Sequence, residues 1–399
     1  EEIVKLTEDN IEFFNVDEEP IEKKSVKIDW DVHAAEKGGY EHFMLKEMYE
    51  QPKVIVDTLS PRIQDGKIEI EELGMTDEDI RAIKKINIVA CGSAYHAGLT
   101  GKYVMEGMAR IPVEVDMASE FRYRDPIIEE GTLVVIISQS GETADSLAAL
   151  REAKQKGAKV LGIVNVVGSS IARESDSVMY TWAGPEIAVA STKAYTTQLA
   201  VFYLIVAKMA QLRGVFSQEE TQSFIRELQR TPDVMKKVLE GRQEIHKLAN
   251  KVLEAKDLFM IGRGLDYSIL LEGSLKLKEV SYIHSEAYAS GELKHGPIAL
   301  ITQDTPVVAA VTQEKLMSKE LSNIKEVRSR GADIVLFIKE SLAKDIDRAY
   351  DTFHLPDMQD EFMVMPASVA LQLLAYYVSS DKGFDVDKPR NLAKVVTVE

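Results

Sequence analysis

The sequence contains a single cysteine, Cys91. No disulfide can form within the chain, which points to a reducing compartment and a cytoplasmic protein. The thiol ends the apolar run 86–90, so a packed strand-end residue is the expected reading, with a nucleophile as the alternative. There are seven histidines, and none stands at a metal-ligand spacing, so no metal or other cofactor is expected. Long apolar runs are also missing. The stretch 199–207 is the most apolar, is broken by Lys208 and is too short to cross a bilayer, so no membrane is expected. Positive charge is scarce: 48 Lys and Arg stand against 65 Asp and Glu, a formal net charge of −17. Such a chain is not drawn to nucleic acid or anionic lipid over its whole surface, so an anionic ligand must be held by a local device. The N-terminus, Glu1-Glu2, has neither a starting Met nor a basic segment. It does not read as a signal peptide, and a fragment of a longer protein is expected.

What is present is a repeat. The 399 residues are 45% hydrophobic and 28% charged, enough for an ordinary core. Two stretches match at an offset of 172 to 174 residues: 88–95 with 260–267, 118–121 with 290–293, 132–137 with 305–310, 156–160 with 330–334, and 197–199 with 371–373. Each copy alternates apolar strands of five or six residues with helical patterns. That predicts βαβ units and a parallel sheet covered on both faces. The fold class is therefore α/β, with two tandem doubly wound parallel-sheet domains related by internal duplication, each a flavodoxin-like three-layer α/β/α unit. The expected limits are 72–215 for the first and 245–386 for the second, with a helical connector at 216–244 in which Pro232 falls near the start of a helix. Residues 33–71 form a linker and a helix ending near Pro61. The tail, 387–399, is either a lid or a solvated end. Residues 1–32 alternate like short strands, at 11–16 and 24–28, and are too few for a domain.

Duplicated domains keep a scaffold and can divide the chemistry, so the differences are informative. In the first copy the strand 133–137 runs into Ser138-Gln-Ser-Gly-Glu-Thr143, with a helix expected from Ala144. Three hydroxyls, an amide and a glycine at a helix N-terminus make a phosphate seat without lysine; a plain N-cap needs only one hydroxyl. The aligned stretch 311–316 of the second copy lacks most of these hydroxyls. Gly92-Ser93-Ala94 and the loop 188–192 can close over the same ligand, although Ser or Thr before a helix is more often a cap. The second copy carries the charges. Glu272, Lys276 and Glu279 share one helix face, as an exposed salt-bridge row or as part of a site. Downstream, Ser290-Gly-Glu-Leu-Lys-His-Gly-Pro297 sets Glu292, Lys294 and His295 in a glycine-flanked turn, where a histidine suits acid–base work.

Five segments in order, SQSGETAD at 138–145, ASTKAYTTQL at 190–199, LKLKE at 275–279, GELKHGP at 291–297 and DKPRNLAK at 387–394, closely resemble the glucosamine-6-phosphate synthase family, the isomerizing glutamine–fructose-6-phosphate aminotransferases. The resemblance covers nearly the whole chain and matches that family's two sugar isomerase (SIS) domains. Residues 1–32 resemble the end of its glutaminase domain, whose N-terminal cysteine is absent here. The resemblance implies conversion of fructose 6-phosphate and ammonia to glucosamine 6-phosphate, the first step of amino-sugar biosynthesis, with ammonia taken from glutamine in the full-length enzyme. It implies phosphate binding by Ser138, Gln139, Ser140 and Thr143 with Ser93 nearby, and sugar contacts from Val189, Ser191, Glu272 and Ala393. Lys394 would form a Schiff base with the C2 ketone, Glu279 would move a proton between C1 and C2, and Lys276 would assist. His295 would help open the sugar ring, contributed by the neighbouring subunit of a homodimer. The family often has Cys-Gly-Thr-Ser after the first strand; here it is Cys91-Gly-Ser-Ala94, one hydroxyl fewer. Two other readings compete: a non-catalytic phosphosugar-sensing SIS module, which would keep the seat and lack Glu279, His295 and Lys394, and a ketose–aldose phosphate isomerase that never uses ammonia.

Overall fold

A computed structural model describes residues 2–8, 10–23, 36–347 and 349–398. The chain divides into two compact units, Glu1–Asp31 and Val32–Glu399. In the first, β1 (Glu2–Leu6), β2 (Ile11–Asn15) and β3 (Pro20–Ile21) pair antiparallel in that order. The alternation at 11–16 is thus a strand; the strand expected at 24–28 lies outside the described residues.

The second unit opens with α1 (Phe43–Leu59), followed by a 3-10 turn that contains Pro61, the small hairpin β4 (Ile63–Gln64) and β5 (Lys67–Ile68), and α2 (Asp77–Ala82). The first repeat comprises β6 (Lys85–Ala90), α3 (Gly92–Val104), β7 (Val113–Met117), α4 (Ala118–Phe121), β8 (Thr132–Ser138), α5 (Ala144–Gln155), β9 (Lys159–Val164), α6 (Ser170–Glu174), β10 (Ser177–Tyr180) and α7 (Lys193–Leu212). Two helices, α8 (Gln218–Glu240) and α9 (Arg242–Val252), lead to the second: β11 (Asp257–Gly262), α10 (Leu265–Ser281), β12 (His284–Ala289), β13 (Pro306–Val311), α11 (Met317–Arg328), β14 (Asp333–Lys339), β15 (Asp351–Leu355) and α12 (Val364–Asp381).

Both sheets are parallel, with orders β10-β9-β8-β6-β7 and β12-β11-β13-β14-β15. Numbered within each repeat, the two orders are the same, 2-1-3-4-5, the flavodoxin-like arrangement. Strands buried on both faces read as unbroken apolar runs, yet their side chains still alternate. Leu133, Val135 and Ile137 of β8 point into one core, and Val134 and Ile136 into another. The inner faces of both sheets share a single core with α3, α7, α8, α10 and α12, so the duplicated units are fused through their inner helices. After β6 the chain turns to that inner side, and after β8 it turns to the outer side with α5. The switch opens a crevice at the carboxyl ends of β6 and β8, the place where such sheets take ligands.

Two expectations are corrected. Pro232 does not start a helix: α8 begins at a capping box, in which Ser217 accepts from the Glu220 N–H and the Glu220 carboxylate from the Ser217 N–H, and Pro232 sits well inside it. The apolar face, including Phe224, Leu228, Met235 and Val238, is buried on both sides of the proline and holds the helix through the lost backbone bond. The longest apolar stretch is not 199–207. Residues 360–381, which contain α12, form a helical segment long and apolar enough to span a bilayer, and 94% of that window is buried inside the fold, as in a core helix.

Candidate active site

The turn after β8 is tightly held. Gly141 has φ +67°, and a Cβ there would lie 2.0 Å from Ser169 Oγ, so only glycine fits. Ser138 Oγ lies 2.9 Å from Thr143 Oγ1 and accepts from the Gly141 N–H at 3.0 Å, while Ser140 Oγ accepts from the Glu142 N–H at 3.1 Å. Thr143 occupies the N-cap of α5 but makes no side-chain cap bond. The plain-cap reading therefore fails: the hydroxyls are spent on shaping the turn, and the positive end of α5 faces the crevice.

A cavity of about 280 Å³ lies over this turn. Ser93, Ser138, Gln139, Ser140, Thr143, Val189, Ser191, Glu279, Ala393 and Lys394 all line it. Three chain regions far apart in sequence thus meet: both repeats and the tail. Lys394 is the only Lys or Arg among the lining residues and Glu279 the only carboxylate. Cys91 and Ala94 also line it; burial pushes the Cys91 thiol up, which makes it a poor nucleophile and supports the packed-thiol reading. The cavity also touches Tyr195 and Gln198 of α7. The sequence reading includes their segment, 190–199, but singles out neither, because nothing in a buried apolar helix distinguishes lining from core.

The charged row on α10 is buried. Lys276 Nζ lies 2.5 Å from Glu279 Oε2 and 3.4 Å from Glu272 Oε1, and Glu272 and Lys276 are 1% and 0% exposed. This rules out the exposed salt-bridge row. Glu272 does not line the cavity; it accepts from Ser93 Oγ at 2.8 Å and pairs with His96 Nδ1 at 2.8 Å, joining α10 to α3. Burial pushes the Glu272 carboxyl up, but Lys276, His96 and Ser93 outweigh it and hold the group below the usual carboxylate range. Burial pushes Lys276 down, yet its two carboxylates more than reverse this and keep it an ammonium. His96 was also missed, since the pairing of α3 with α10 is a tertiary fact.

The tail is docked. Asp387 accepts from the N–H groups of Phe43 and Met44 at the start of α1, and its carbonyl accepts from the Val189 N–H. The Arg390 N–H donates to Tyr282 Oη, and the Val396 carbonyl accepts from the Ala144 N–H at the first turn of α5. Lys394 Nζ donates to Glu186 Oε2 at 2.5 Å and to the Ala188 carbonyl at 2.8 Å. Glu186 also accepts from Ser191 Oγ and from the Thr192 and Ala194 N–H groups. Burial raises the Glu186 carboxyl, and the Lys394 charge and these bonds outweigh that and lower it. His295 is not brought in. It is exposed on the 3-10 segment Glu292–His295 and does not line the cavity. Exposed Glu292 and Lys294 lie on the same segment, Lys294 pairing with Glu326 at 2.8 Å. Among the described residues no group of three or more His, Cys, Asp or Glu side chains could hold a metal ion.

Comparison with known proteins agrees with this architecture. The family model described as SIS domain matches residues 79–208 and 251–379, one match on each sheet. A glutamine–fructose-6-phosphate aminotransferase (isomerizing) from Clostridium tetani is 55% identical over 400 residues, covering 100% of this chain and 66% of the relative, and one from Thermus thermophilus is 46% identical with the same coverage. The chain thus spans 66% of the length of the curated relatives it matches. Among solved structures, the C-terminal domain of glucosamine-fructose-6-phosphate aminotransferase from Francisella tularensis superposes with a TM-score of 0.86 at 41% identity, covering 88% of this chain and 100% of that one. Two SIS matches over the two sheets, with a solved relative covered end to end, show that the chain belongs to the SIS-domain family and, within it, to the isomerizing glutamine–fructose-6-phosphate aminotransferases, whose C-terminal part it matches.

Proposed function

We propose that the chain converts fructose 6-phosphate and ammonia into glucosamine 6-phosphate, as a transferase that turns a ketose phosphate into an aldose phosphate. One observation carries this reading: an anion seat, a lysine amine and a carboxylate line the same cavity. The phosphate sits on Ser138, Gln139, Ser140 and Thr143 near Ser93, at the N-terminus of α5. Val189, Ser191 and Ala393 flank the sugar. Lys394 forms an iminium with C2, which acidifies the C1–H. Glu279 removes that proton and returns it to C2, with the Lys276 ammonium holding its carboxylate in place. Glu272 acts through Ser93 and Lys276. Ammonia displaces the lysine at the C2 iminium before that proton moves, adding to C2 and releasing the Lys394 amine, so that the C1–H transferred by Glu279 belongs to the imine of ammonia. We propose further that the part of the relatives not matched here supplies that ammonia from glutamine. His295 belongs to the site of a second copy in a homodimer; its exposure away from its own cavity favours this role.

Reduction with borohydride in the presence of fructose 6-phosphate is expected to label Lys394. Lys394→Arg should bind the sugar phosphate and give no adduct, because guanidinium does not lose its proton. Glu279→Gln should still form the adduct but exchange the C1 hydrogen with solvent about two to four orders of magnitude more slowly, the usual worth of a general base. A phosphosugar sensor would bind without exchange in any variant. Adduct formation by Lys394→Arg would defeat the assignment of the amine.

A further inference from the structure

The tail lysine rests on two buried carboxylates rather than one. Glu47 of α1 is 2% exposed, and its Oε1 accepts from the N–H groups of Ile187 at 2.5 Å and Ala188 at 3.1 Å. Its other oxygen, Oε2, is buried with no partner. Ala188 stands between the two charges: its N–H goes to Glu47, and its carbonyl accepts from Lys394 Nζ. Glu186, the residue just before this pair of N–H groups, holds the same Nζ at 2.5 Å. Two buried carboxylates and the partly exposed Lys394 ammonium therefore stand around the 186–188 segment. One cation cannot neutralise two anions, and an unpartnered carboxylate oxygen in such a place is far better tolerated as the neutral acid.

We propose that Glu47 is a positioning residue for the Lys394 amine: with Glu186 it forms a buried carboxylate pair that keeps one proton, and the state of that proton sets how readily Lys394 gives up its own. The inference rests on Lys394 being the amine that attacks the ketone. With Glu47 neutral, Glu186 is the single anion facing Lys394 and takes a proton from the ammonium. The freed amine adds to C2; the C–N bond forms and the C=O π bond breaks. The nitrogen proton passes to the oxygen, and the hydroxyl leaves as water with the proton returned by Glu186. An ammonium and a ketone thus become an iminium and water, with charge and atoms conserved. With Glu47 ionised, the second anion acts on Glu186 more strongly than on Lys394, raises the proton affinity of Glu186 and speeds the first step. Burial, and next the Glu186 charge, push the Glu47 carboxyl up to about 8, against the Ile187 N–H bond, the Lys394 charge and the Ala188 N–H bond.

The other charged groups around Glu47 are accounted for by partners of their own. On α1, Glu50 lies 3.6 Å from Lys46 and 2.7 Å from Lys193 of α7. From the tail, Asp387 is bound to the Phe43 and Met44 N–H groups, with Lys37 at 3.8 Å. From α12 comes the neutral Gln372, bonded to Gln51, and from α8 the Leu239 carbonyl, bonded to Tyr49.

The test is cyanoborohydride trapping of the fructose 6-phosphate adduct on Lys394 as a function of pH, in wild type and Glu47→Gln. The amide keeps the acceptor for Ile187 and Ala188 but cannot ionise. Rates should agree within about 1.5-fold near pH 6.5, and the variant should be about 3- to 10-fold slower near pH 9. Parallel profiles would overturn the proposal and leave Glu47 as a loop anchor. Infrared difference spectra between wild type and Glu47→Gln give a second check, the difference being needed because burial also pushes the Glu320 carboxyl up to about 7. A protonated carboxylic acid band should be present near neutral pH and fade with a midpoint of about 8; no such band overturns the proposal too. If no pH yields labelled Lys394 in wild type, the Schiff-base reading falls and takes this one with it, an outcome distinct from labelled but parallel profiles.

Discussion

Replacing Lys276 by methionine tests whether the charged row on α10 is a buried device or surface decoration. Methionine keeps most of the stem and removes the ammonium. Were the row exposed, each pair would contribute roughly 0.2–0.5 kcal/mol and the change would pass almost unnoticed. Lys276 is 0% exposed, however, and Glu272 is 1% exposed, so the substitution orphans a buried carboxylate that keeps only Ser93 and His96 as donors. Breaking such a pair from one side typically costs about 3–5 kcal/mol, some tenfold more. Urea unfolding of both proteins near pH 7.5 reads the difference. The cost should shrink when Glu272→Gln is added, because the penalty is an uncompensated charge and not a lost stem. It should also narrow toward pH 5, as the orphaned carboxyl takes up a proton that it binds more tightly in the folded than in the unfolded state. A loss below about 1 kcal/mol, or a double variant no better than the sum of the singles, would refute the reasoning.

Two further outcomes follow from the seat and its counterpart. Ser140→Ala and Thr143→Ala should each weaken glucosamine 6-phosphate binding by about 1–2 kcal/mol, the worth of a bond to a charged group; calorimetry showing unchanged affinity for both would remove the seat. Asp266, buried on α10, is pushed up by that burial to about 6 against the hydrogen bonds from Thr312. Its folded-state value lies above the usual 3.8, so its contribution to stability is fully present below that pH and is lost as pH rises toward 6, by about 3 kcal/mol in all. Asp266→Asn lacks this dependence, and the stability difference should move in its favour between about pH 4 and pH 7; a constant difference in urea midpoints would refute it.

Much of this could be read along the chain. The apolar runs 86–90, 133–137, 160–164 and 334–338 are strands within a residue or two, because a strand buried on both faces needs an unbroken run and nothing else competes for one. The turn proposed as the seat stood out in the sequence because its hydroxyls, at 138, 140 and 143, fall within six residues. Glu186 and Glu47 did not, since each is a single acid whose partners, Lys394 and the 187–188 backbone, are distant in sequence or carry no side-chain signal. Pro232 misled because propensity weighs the residue alone, whereas the amphipathic face of α8 extends past it. The helical spacing placed Glu272, Lys276 and Glu279 together; their burial depends on α3 packing from the other repeat.

The division of labour between the repeats comes down to one aligned position. Offset by 172 residues, Ala94 corresponds to Asp266, each near the start of the helix that leaves its first strand. In the second repeat the Asp266 carboxylate reaches across the switch-point crevice and accepts from the Thr312 N–H at 2.9 Å and from Thr312 Oγ1 at 2.5 Å. Thr312 follows β13 as Gln139 follows β8, so the carboxylate occupies the part of the crevice that corresponds to the anion seat. Asp360 closes the rest, accepting from the Glu314 N–H and pairing with Lys339. The second repeat is therefore furnished with an anion of its own at this place. Alanine at position 94 leaves the first crevice without one, and the same α10 whose start carries Asp266 places Glu272, Lys276 and Glu279, about two to four turns further on, toward the first repeat. A helix that fills one crevice at its start and reaches the other further on ties the two repeats into one unit.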